Sequence, residues 1–104
     1  MKIVRVTYTT TEAYAAQNKA NIQAVMSELH AMNIPGMNYN CCLGADGKTF
    51  THTAFFKSEE DEKILLTLPV FMSFQQQLKA SGPETPPKQE LLALVGTSTD
   101  IFKS

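Results

Sequence analysis

The chain has 104 residues, of which 43% are hydrophobic and 18% charged, and nine lysines and arginines against ten acidic residues give a formal net charge of -1. A chain of this length buries one core but leaves no room for a cofactor domain beside a substrate domain. Its near-neutral charge lacks the basic surface that binds nucleic acid phosphates, so we expect no nucleic acid partner. The composition predicts one soluble globular domain over residues 1–104, with any ligand inside one small fold or between subunits.

The sequence also indicates the compartment. The start, MKIVRVTYTT, alternates apolar and polar residues and lacks the continuous apolar stretch of a signal peptide. No run of about 18 apolar residues occurs, so we expect no membrane span. The two cysteines, Cys41 and Cys42, are adjacent, a spacing at which a structural disulfide is strained. These features favour the reducing cytoplasm.

The first two elements are predicted to be a strand and a long helix. Residues 2–8 alternate between apolar and polar side chains, which is typical of a strand with one buried face. From Thr11 to Met32, apolar residues recur every three or four positions, a pattern that predicts a helix of roughly 20 residues. The helix is expected to end near Asn33, because Pro35 disfavours helical backbone in the residue before it.

A hairpin is the strongest local prediction. Two extended runs, Met37 to Ala45 and Lys48 to Lys57, flank Asp46-Gly47, a dipeptide that readily forms a two-residue turn. Such a turn fixes the register of the two strands. The cross-strand pairs that it predicts are Leu43 with Phe50, Cys41 with His52, Tyr39 with Ala54, and Met37 with Phe56. One face of the hairpin is then almost wholly apolar and the other mainly polar.

The rest of the chain predicts two helical segments and a strand. Ser58 is a good N-cap and acidic residues follow it, so a short helix is expected to about Leu68. Pro69 suits the first turn of a second segment, which ends near Gly82. After a proline-rich connection, Gln89 to Thr97 is predicted to be a strand buried on both faces, because its apolar residues are nearly continuous.

The element order is β-α-β-β-α-β with a broken second helix, which is the ferredoxin-like arrangement. It predicts an α+β fold in which the helices cover one face of a four-stranded antiparallel sheet. The other face would be bare, and such faces are commonly buried by a second copy. We therefore expect a homodimer through the open sheet face. Polar side chains predicted at that interface are Arg5, Thr7, Asn38, Asn40, Thr51 and Thr53.

Three segments, together with the element order, carry a family resemblance. They are Phe55-Phe56-Lys57 at the hairpin end, the acidic helix start at residues 59–62, and the aromatic segment from Pro69 to Phe74. The chain thereby resembles the antibiotic-biosynthesis-monooxygenase-like group of the dimeric α+β barrel superfamily. The resemblance implies a homodimeric barrel that either oxygenates polycyclic phenols and quinones without a cofactor or degrades haem through an Asn, a Trp and a His. The chain has no Trp and no His after His52, so it departs from the haem-degrading pattern.

His52 is the leading candidate for a functional residue. The register places it on the apolar, helix-covered face opposite Cys41 and diagonal to Tyr39, where an imidazole can act as a base or proton relay. The alternative is a buried neutral histidine with one hydrogen bond. Asn18 interrupts the apolar stripe of the first helix and either faces the same space or lies solvated at its edge. With Tyr14, these residues would form a small pocket with few polar groups in an apolar wall.

Other chemistry is less favoured at these positions. Nothing in the sequence offers a cation to lower the pKa of Cys41, so an inert buried cysteine is the preferred interpretation over a reactive thiolate. Adjacent cysteines point to opposite faces of a strand, and His30 suits the end of its helix, so we predict no metal site. Arg5 either binds an anion or packs at the interface with an acid of a partner subunit.

Two hypotheses about function follow. In the first, the protein is a monooxygenase-like enzyme, without a tightly bound cofactor, that acts on a small aromatic or apolar molecule. His52 is then the catalytic residue, and the ligand-binding residues are Tyr14, Asn18, Tyr39 and Cys41. In the second, the protein is a non-catalytic ligand-binding or dimerisation protein in which these residues belong to the core. Neither hypothesis involves a metal, a nucleic acid or a membrane.

Overall fold

The computed structural model describes residues 1–102 as a four-stranded sheet with three helices packed on it. In chain order the elements are β1 (Lys2–Thr9), α1 (Ala15–Met32), β2 (Met37–Leu43), β3 (Thr49–Phe56), α2 (Glu59–Leu66), α3 (Pro69–Ser81) and β4 (Thr85–Leu92). The strands lie in the order β2-β3-β1-β4, and every neighbouring pair is antiparallel. The predicted ferredoxin-like α+β fold is therefore confirmed.

The periodicity predicted that helix α1 begins at Thr11, but the helix begins at Ala15. The difference arises because Thr11 draws the chain into a turn, where its carbonyl and hydroxyl oxygens both accept from the Tyr14 N–H at 3.2 Å. The predicted end is confirmed, since Asn33 follows the helix with a φ of 50°. Asparagine tolerates this left-handed conformation, and the Asn33 N–H donates to the carbonyl of Leu29.

The β2–β3 hairpin has the predicted register but a wider turn. Each predicted cross-strand pair is present. The turn, however, is closed by the N–H of Gly47, which donates to the carbonyl of Gly44 at 3.0 Å. The predicted two-residue turn is wrong, because the Asp46 carboxylate accepts from the Lys48 N–H at 3.0 Å. In a two-residue turn that N–H would have bonded to the carbonyl of Ala45.

The segments α2 and α3 follow the predicted start and stop signals. The Ser58 hydroxyl accepts from the Asp61 N–H at 3.3 Å and so caps α2, which ends at Leu66. Pro69 occupies the first turn of α3, and Gly82 ends that helix with a φ of 69°. The residues of α3 that are buried are Phe71, Phe74 and Leu78. Among residues 1–102, no helix has both the length and the apolar character to cross a membrane.

Alternation along the strands gives the sheet two different faces. The covered face lies beneath the helices, and its buried side chains in β1 and β3 are Val4, Tyr8, Phe50, His52, Ala54 and Phe56. The opposite side is the open face. Side chains on the open face include Arg5, Thr7, Asn38, Asn40, Thr51, Thr53 and Phe55.

Strand β4 is an exposed edge strand, and the prediction of a doubly buried strand over Gln89–Thr97 is wrong. Leu91 is 68% exposed, and Val95, beyond the end of the strand, is fully exposed. The reason is the strand order, because β4 pairs with β1 alone at the edge of the sheet. Its pairing also contains a bulge, at which Pro86 and Pro87 together stand opposite a single residue of β1.

The sequence predicted that the open face would be bare along its whole length, but one end of it is covered. Asn38 donates from Nδ2 to the carbonyl of Ile101 at 2.9 Å, so the C-terminal segment contacts one end of this face. Ile3 lies in the same cross-strand row as Asn38 and is only 5% exposed. The remainder of the open face is partly exposed.

Candidate functional site

Polar side chains from three neighbouring strands meet beneath the helices. Tyr39 of β2, His52 of β3 and Tyr8 of β1 all point to the covered face, because each lies at a covered-face position of its strand. Since β3 lies between the other two strands, the imidazole lies between the two phenols. Asn18, from the first turn of α1, is fully buried beside them.

Hydrogen bonds join these side chains into what we call the polar chain (Asn18, Tyr8, His52 and Tyr39). Asn18 Nδ2 donates to the Tyr8 hydroxyl oxygen at 2.9 Å. The Tyr8 hydroxyl lies 2.8 Å from His52 Nε2, and the Tyr39 hydroxyl lies 2.7 Å from His52 Nδ1. Both ring nitrogens of His52 are therefore occupied, so the imidazole reaches the surrounding space only through the two tyrosine hydroxyls.

Burial keeps the titratable members of the polar chain neutral near pH 7. His52 is 5% exposed, and this burial lowers its pKa to about 4. Burial also raises the pKa of the Tyr8 and Tyr39 hydroxyls well above their ordinary value. A neutral imidazole has one N–H and one lone pair, so His52 donates one of its two hydrogen bonds and accepts the other.

Aromatic rings surround the imidazole and account for its dry environment. Tyr8 and Tyr39 stack on it with ring centroids 5.3 and 5.8 Å away. Phe74 of α3 approaches it at 5.6 Å. Phe71 of the same helix meets the Tyr39 ring edge-on at 6.2 Å. Helix α3 thus closes over the phenol–imidazole row, and the polar groups bond to one another instead of to water.

A cavity of about 690 Å³ adjoins the polar chain, between the sheet and helices α2 and α3. Tyr8, Tyr39 and His52 supply polar groups to its wall. Most of the remaining wall is apolar and includes Val4, Val6, Phe56, Leu65, Phe71 and Phe74. Lys2 and Glu62 form an ion pair at 2.9 Å on the lining as well. A volume of this order, with few polar groups in an apolar wall, is typical of small-molecule sites.

The structure brings together most of the side chains selected from the sequence. His52 and Tyr39 line the cavity. Asn18 is fully buried, so the solvated alternative is wrong, and it connects to the cavity through Tyr8. Tyr14 lies outside the polar chain, and its hydroxyl oxygen accepts from Asn21 at 3.3 Å. The catalytic and ligand-binding roles of these residues stay predictions.

Cys41 pairs with His52 in the register, as predicted, but its thiol does not bond to the polar chain. Its Sγ lies 3.9 Å from the carbonyl oxygen of Cys42, and burial raises its pKa to about 12. A thiol with this pKa is protonated at neutral pH and a poor nucleophile. Both cysteines are free. In the described part of the chain, no three potential metal-binding side chains cluster together.

Tyr8 is the member of the polar chain that the sequence prediction lacked. The period of two that places Val4 and Val6 on one side of β1 places Tyr8 on that side as well. The signal was therefore present. Tyr8 stands at the end of the predicted strand, where alternation is least constrained, and no polar partner was evident for it in the sequence.

Asn18 retains an unused acceptor in this dry environment. Its Oδ1 is buried and has no hydrogen-bond partner among the described residues. An unpaired buried acceptor of this kind costs about 1–3 kcal/mol. An apolar residue would fill the same space without that cost, so the amide is an unfavourable choice for a position that only completes the core.

No family model matches the chain, and no curated protein matches it in sequence. Solved structures do match. Rv0793 from Mycobacterium tuberculosis aligns with a TM-score of 0.76 at 15% identity, over 94% of this chain and 98% of that chain. An antibiotic biosynthesis monooxygenase aligns with a TM-score of 0.77 at 10% identity, over 92% of this chain and 100% of that chain. The chain therefore shares the fold of these structures.

A third structure adds an activity to the comparison. A variant of SnoaB, a cofactor-independent oxygenase from Streptomyces nogalater, aligns with a TM-score of 0.66 at 15% identity, over 95% of this chain and 98% of that chain. At identities this low, the structural alignments establish a shared fold and nothing further. The activity of this chain has to be argued from its own site.

Proposed function

We propose that the protein binds a small aromatic or largely apolar molecule in the cavity beside the polar chain and acts on it as a monooxygenase-like enzyme without a tightly bound cofactor. The observation that carries this proposal is the placement of neutral hydroxyl and imidazole groups on the wall of a mainly apolar cavity. The oxygenase activity of a structural neighbour supports the choice of reaction.

The cavity favours a flat, uncharged ligand. Phe71 and Phe74 offer aromatic surfaces, and the volume of about 690 Å³ accommodates a molecule of two or three fused rings. The neutral polar chain offers charged ligand atoms no ionic partner, so such atoms would lose their hydration beside it. The charged side chains on the lining are Lys2, Glu62 and Lys79, of which the first two pair with each other. The substrate is therefore an aromatic molecule with a hydroxyl or carbonyl group directed at Tyr39 or Tyr8.

His52 would act as the proton acceptor of the reaction. A substrate with an acidic ring C–H or O–H releases its proton to a tyrosine hydroxyl, which passes its own proton to the imidazole lone pair. Oxidation of a ring methylene to a carbonyl by dioxygen then balances without a cofactor, because one oxygen atom enters the substrate and the other leaves as water. In this scheme the protein positions the substrate, and the substrate is its own reductant.

The second candidate is a non-catalytic ligand-binding protein, and one observation favours it. An efficient general base has a pKa near the working pH, whereas burial lowers the pKa of His52 to about 4. Burial also raises the pKa of the Cys41 thiol to about 12. A site in which the imidazole and the two phenols stay neutral is well suited to binding an uncharged molecule without converting it.

Anthrone, a three-ring ketone with an acidic methylene, separates the two candidates. We expect binding by fluorescence titration and, in air-saturated buffer, uptake of one dioxygen per anthraquinone formed. His52→Ala should abolish the uptake, and Thr53→Ala on the open face is the matched control. Binding without protein-dependent uptake would support the non-catalytic candidate. Failure to bind anthrone and smaller aromatic ketones would overturn both.

We further propose that the protein is a homodimer through the open face. Apolar side chains around β4 are exposed in the single chain, and a second copy of the chain would bury them. They are Leu92, which lies in the open-face row of Ile3, and Leu94 and Val95, which follow the strand. Light scattering over a dilution series should report a dimer at micromolar concentration, and Val95→Asp should shift it toward the monomer. A monomer in the unsubstituted protein would overturn this proposal.

A further inference from the structure

The direction of the hydrogen bonds in the polar chain follows from its first member. Asn18 Nδ2 is a donor only, and it donates to the Tyr8 hydroxyl oxygen at 2.9 Å. The Tyr8 hydroxyl is buried, and the acceptor described beside it is His52 Nε2 at 2.8 Å, so the Tyr8 proton goes to that nitrogen. That ring nitrogen is therefore the unprotonated one.

Assigning one proton to each group also fixes the hydrogen bond between His52 and Tyr39. Because His52 is neutral and Nε2 accepts, its one N–H is on Nδ1 and donates to the Tyr39 hydroxyl oxygen at 2.7 Å. No bond within the polar chain then uses the proton of the Tyr39 hydroxyl. Tyr39 lines the cavity, and so the unused donor belongs to the cavity wall.

We infer that Asn18 is a positioning residue that orients the polar chain so that Tyr39 presents its hydroxyl proton to the ligand, which therefore carries a hydrogen-bond acceptor such as a ketone or quinone carbonyl. The part of this inference that concerns the ligand, called the ligand clause below, rests on the proposed function. The orientation of the polar chain does not, since it follows from protein groups alone.

The amide of Asn18 sets the direction of the hydrogen bonds because it offers Tyr8 a donor and not an acceptor. Its Oδ1 is buried without a partner, and its NH₂ group faces Tyr8. If the side chain at position 18 offered an acceptor to Tyr8, every bond would reverse. Tyr8 would donate to position 18, His52 would carry its proton on Nε2, and Tyr39 would donate to Nδ1. The ligand would then meet a hydroxyl oxygen whose proton is already used.

The first experiment needs neither a ligand nor a variant. A long-range proton–nitrogen NMR spectrum of the imidazole nitrogens reports which nitrogen of His52 bears the proton, and His30, which is exposed, provides an internal reference. We expect Nδ1 to be protonated and Nε2 unprotonated at pH 7. A proton on Nε2 would overturn the inference, whatever the protein binds.

Asn18→Asp tests the positioning role once its carboxyl is ionised, because a carboxylate can only accept from Tyr8. Burial favours the neutral carboxyl, so the spectra of this variant and of its control are recorded up to a pH of about 9. We expect the proton of His52 to appear on Nε2 in this variant. Asn21→Asp, three residues further along α1 and outside the polar chain, is the matched control and should leave Nε2 unprotonated. An unchanged Nδ1 tautomer in folded Asn18→Asp would overturn the role of Asn18. If that variant fails to fold, the spectrum of the unsubstituted protein still decides the direction.

The ligand clause is tested with 9-fluorenone and fluorene, which share a ring system and differ in the carbonyl acceptor. We expect the ratio of their affinities to fall about tenfold in Tyr39→Phe, the effect of one lost hydrogen bond. It should fall similarly in Asn18→Asp, in which Tyr39 is intact, and stay unchanged in Asn21→Asp. An unchanged ratio in Tyr39→Phe would overturn the ligand clause. Failure of both probes to bind would instead count against the proposed function, and the tautomer result would still hold.

Discussion

On the covered face of the sheet the polar side chains are neutral and bonded to one another, whereas one residue further along the same strands the open face carries charge. On the covered face, His52 is 5% exposed, and its only described polar partners are Tyr8 and Tyr39. On the open face, Arg5 pairs with Glu90 at 3.0 Å, and their side chains are 43% and 37% exposed. Desolvation accounts for the contrast, because it penalises charge where water is excluded and scarcely affects it at the surface. Neighbouring residues of one strand should therefore respond very differently to substitution.

The largest effect is expected from His52→Ala. Removing the imidazole leaves a void among aromatic rings and two buried hydroxyls without their partner, so the free energy of unfolding should fall by about 3–4 kcal/mol. Thr53→Ala, the next residue on the open face, should cost about 0.5 kcal/mol or less. Urea denaturation of both variants measures the difference. Equal losses would contradict the contrast between the two faces.

Stability should also depend on pH through His52. Its pKa is lowered from 6.5 in the unfolded chain to about 4 in the folded protein, so the unfolded state binds more protons between these values. The stabilisation is complete above pH 6.5 and declines as the pH falls toward 4, by about 2 kcal/mol between pH 7 and pH 5. Urea titrations at these pH values should show the decline in the unsubstituted protein and in His30→Gln. His52→Gln should lack it, and a decline of the same size there would assign the effect to other groups.

A smaller loss is expected from Tyr8→Phe. The substitution keeps the ring and its packing but leaves Asn18 Nδ2 and His52 Nε2 without a partner, so the free energy of unfolding should fall by about 1–2 kcal/mol. Thr7→Val, adjacent on the open face, removes a hydroxyl of the same strand and serves as the control. If both variants lost the same amount, the Tyr8 hydroxyl would not be part of a buried network.

The smallest effect is expected from Glu90→Gln on the open face. The Arg5 guanidinium lowers the pKa of the Glu90 carboxyl, but this ion pair is solvated and screened by salt. We expect no measurable change in the denaturation midpoint at physiological ionic strength when the protein is dilute enough to be monomeric. A clear destabilisation of the monomer that persists at high salt would contradict this expectation, whereas one that appears only in the dimer would place the pair in its interface.

The sequence predicts the covered face well because the rules that determine it are local. A hairpin register follows from where the turn lies, and that register placed His52 opposite Cys41 and near Tyr39. The wider turn did not disturb it, because Gly44 and Thr49 continue the same pairing. Helix ends were predicted from single residues whose conformations are restricted in any context.

The sequence fails where position in the sheet decides the outcome. The run from Leu91 to Val95 is equally compatible with a central strand and with an exposed edge, and only the strand order distinguishes them. The hydrogen bond between Asn18 and Tyr8 is likewise absent from any local pattern, because it depends on how α1 packs across the sheet. Side chains joined by tertiary packing become recognisable as a site only when the elements are assembled.

The bulge in β4 bears on the aggregation of the protein at high concentration. Pro86 and Pro87 follow one another on the edge of the sheet, and neither has an N–H to donate. An extended segment of another molecule finds an interrupted ladder there, so open-ended growth of the sheet into fibrils is blocked along this stretch. Replacing both prolines would supply the missing donors, and thioflavin fluorescence of the concentrated protein would then reveal whether they protect it from aggregation.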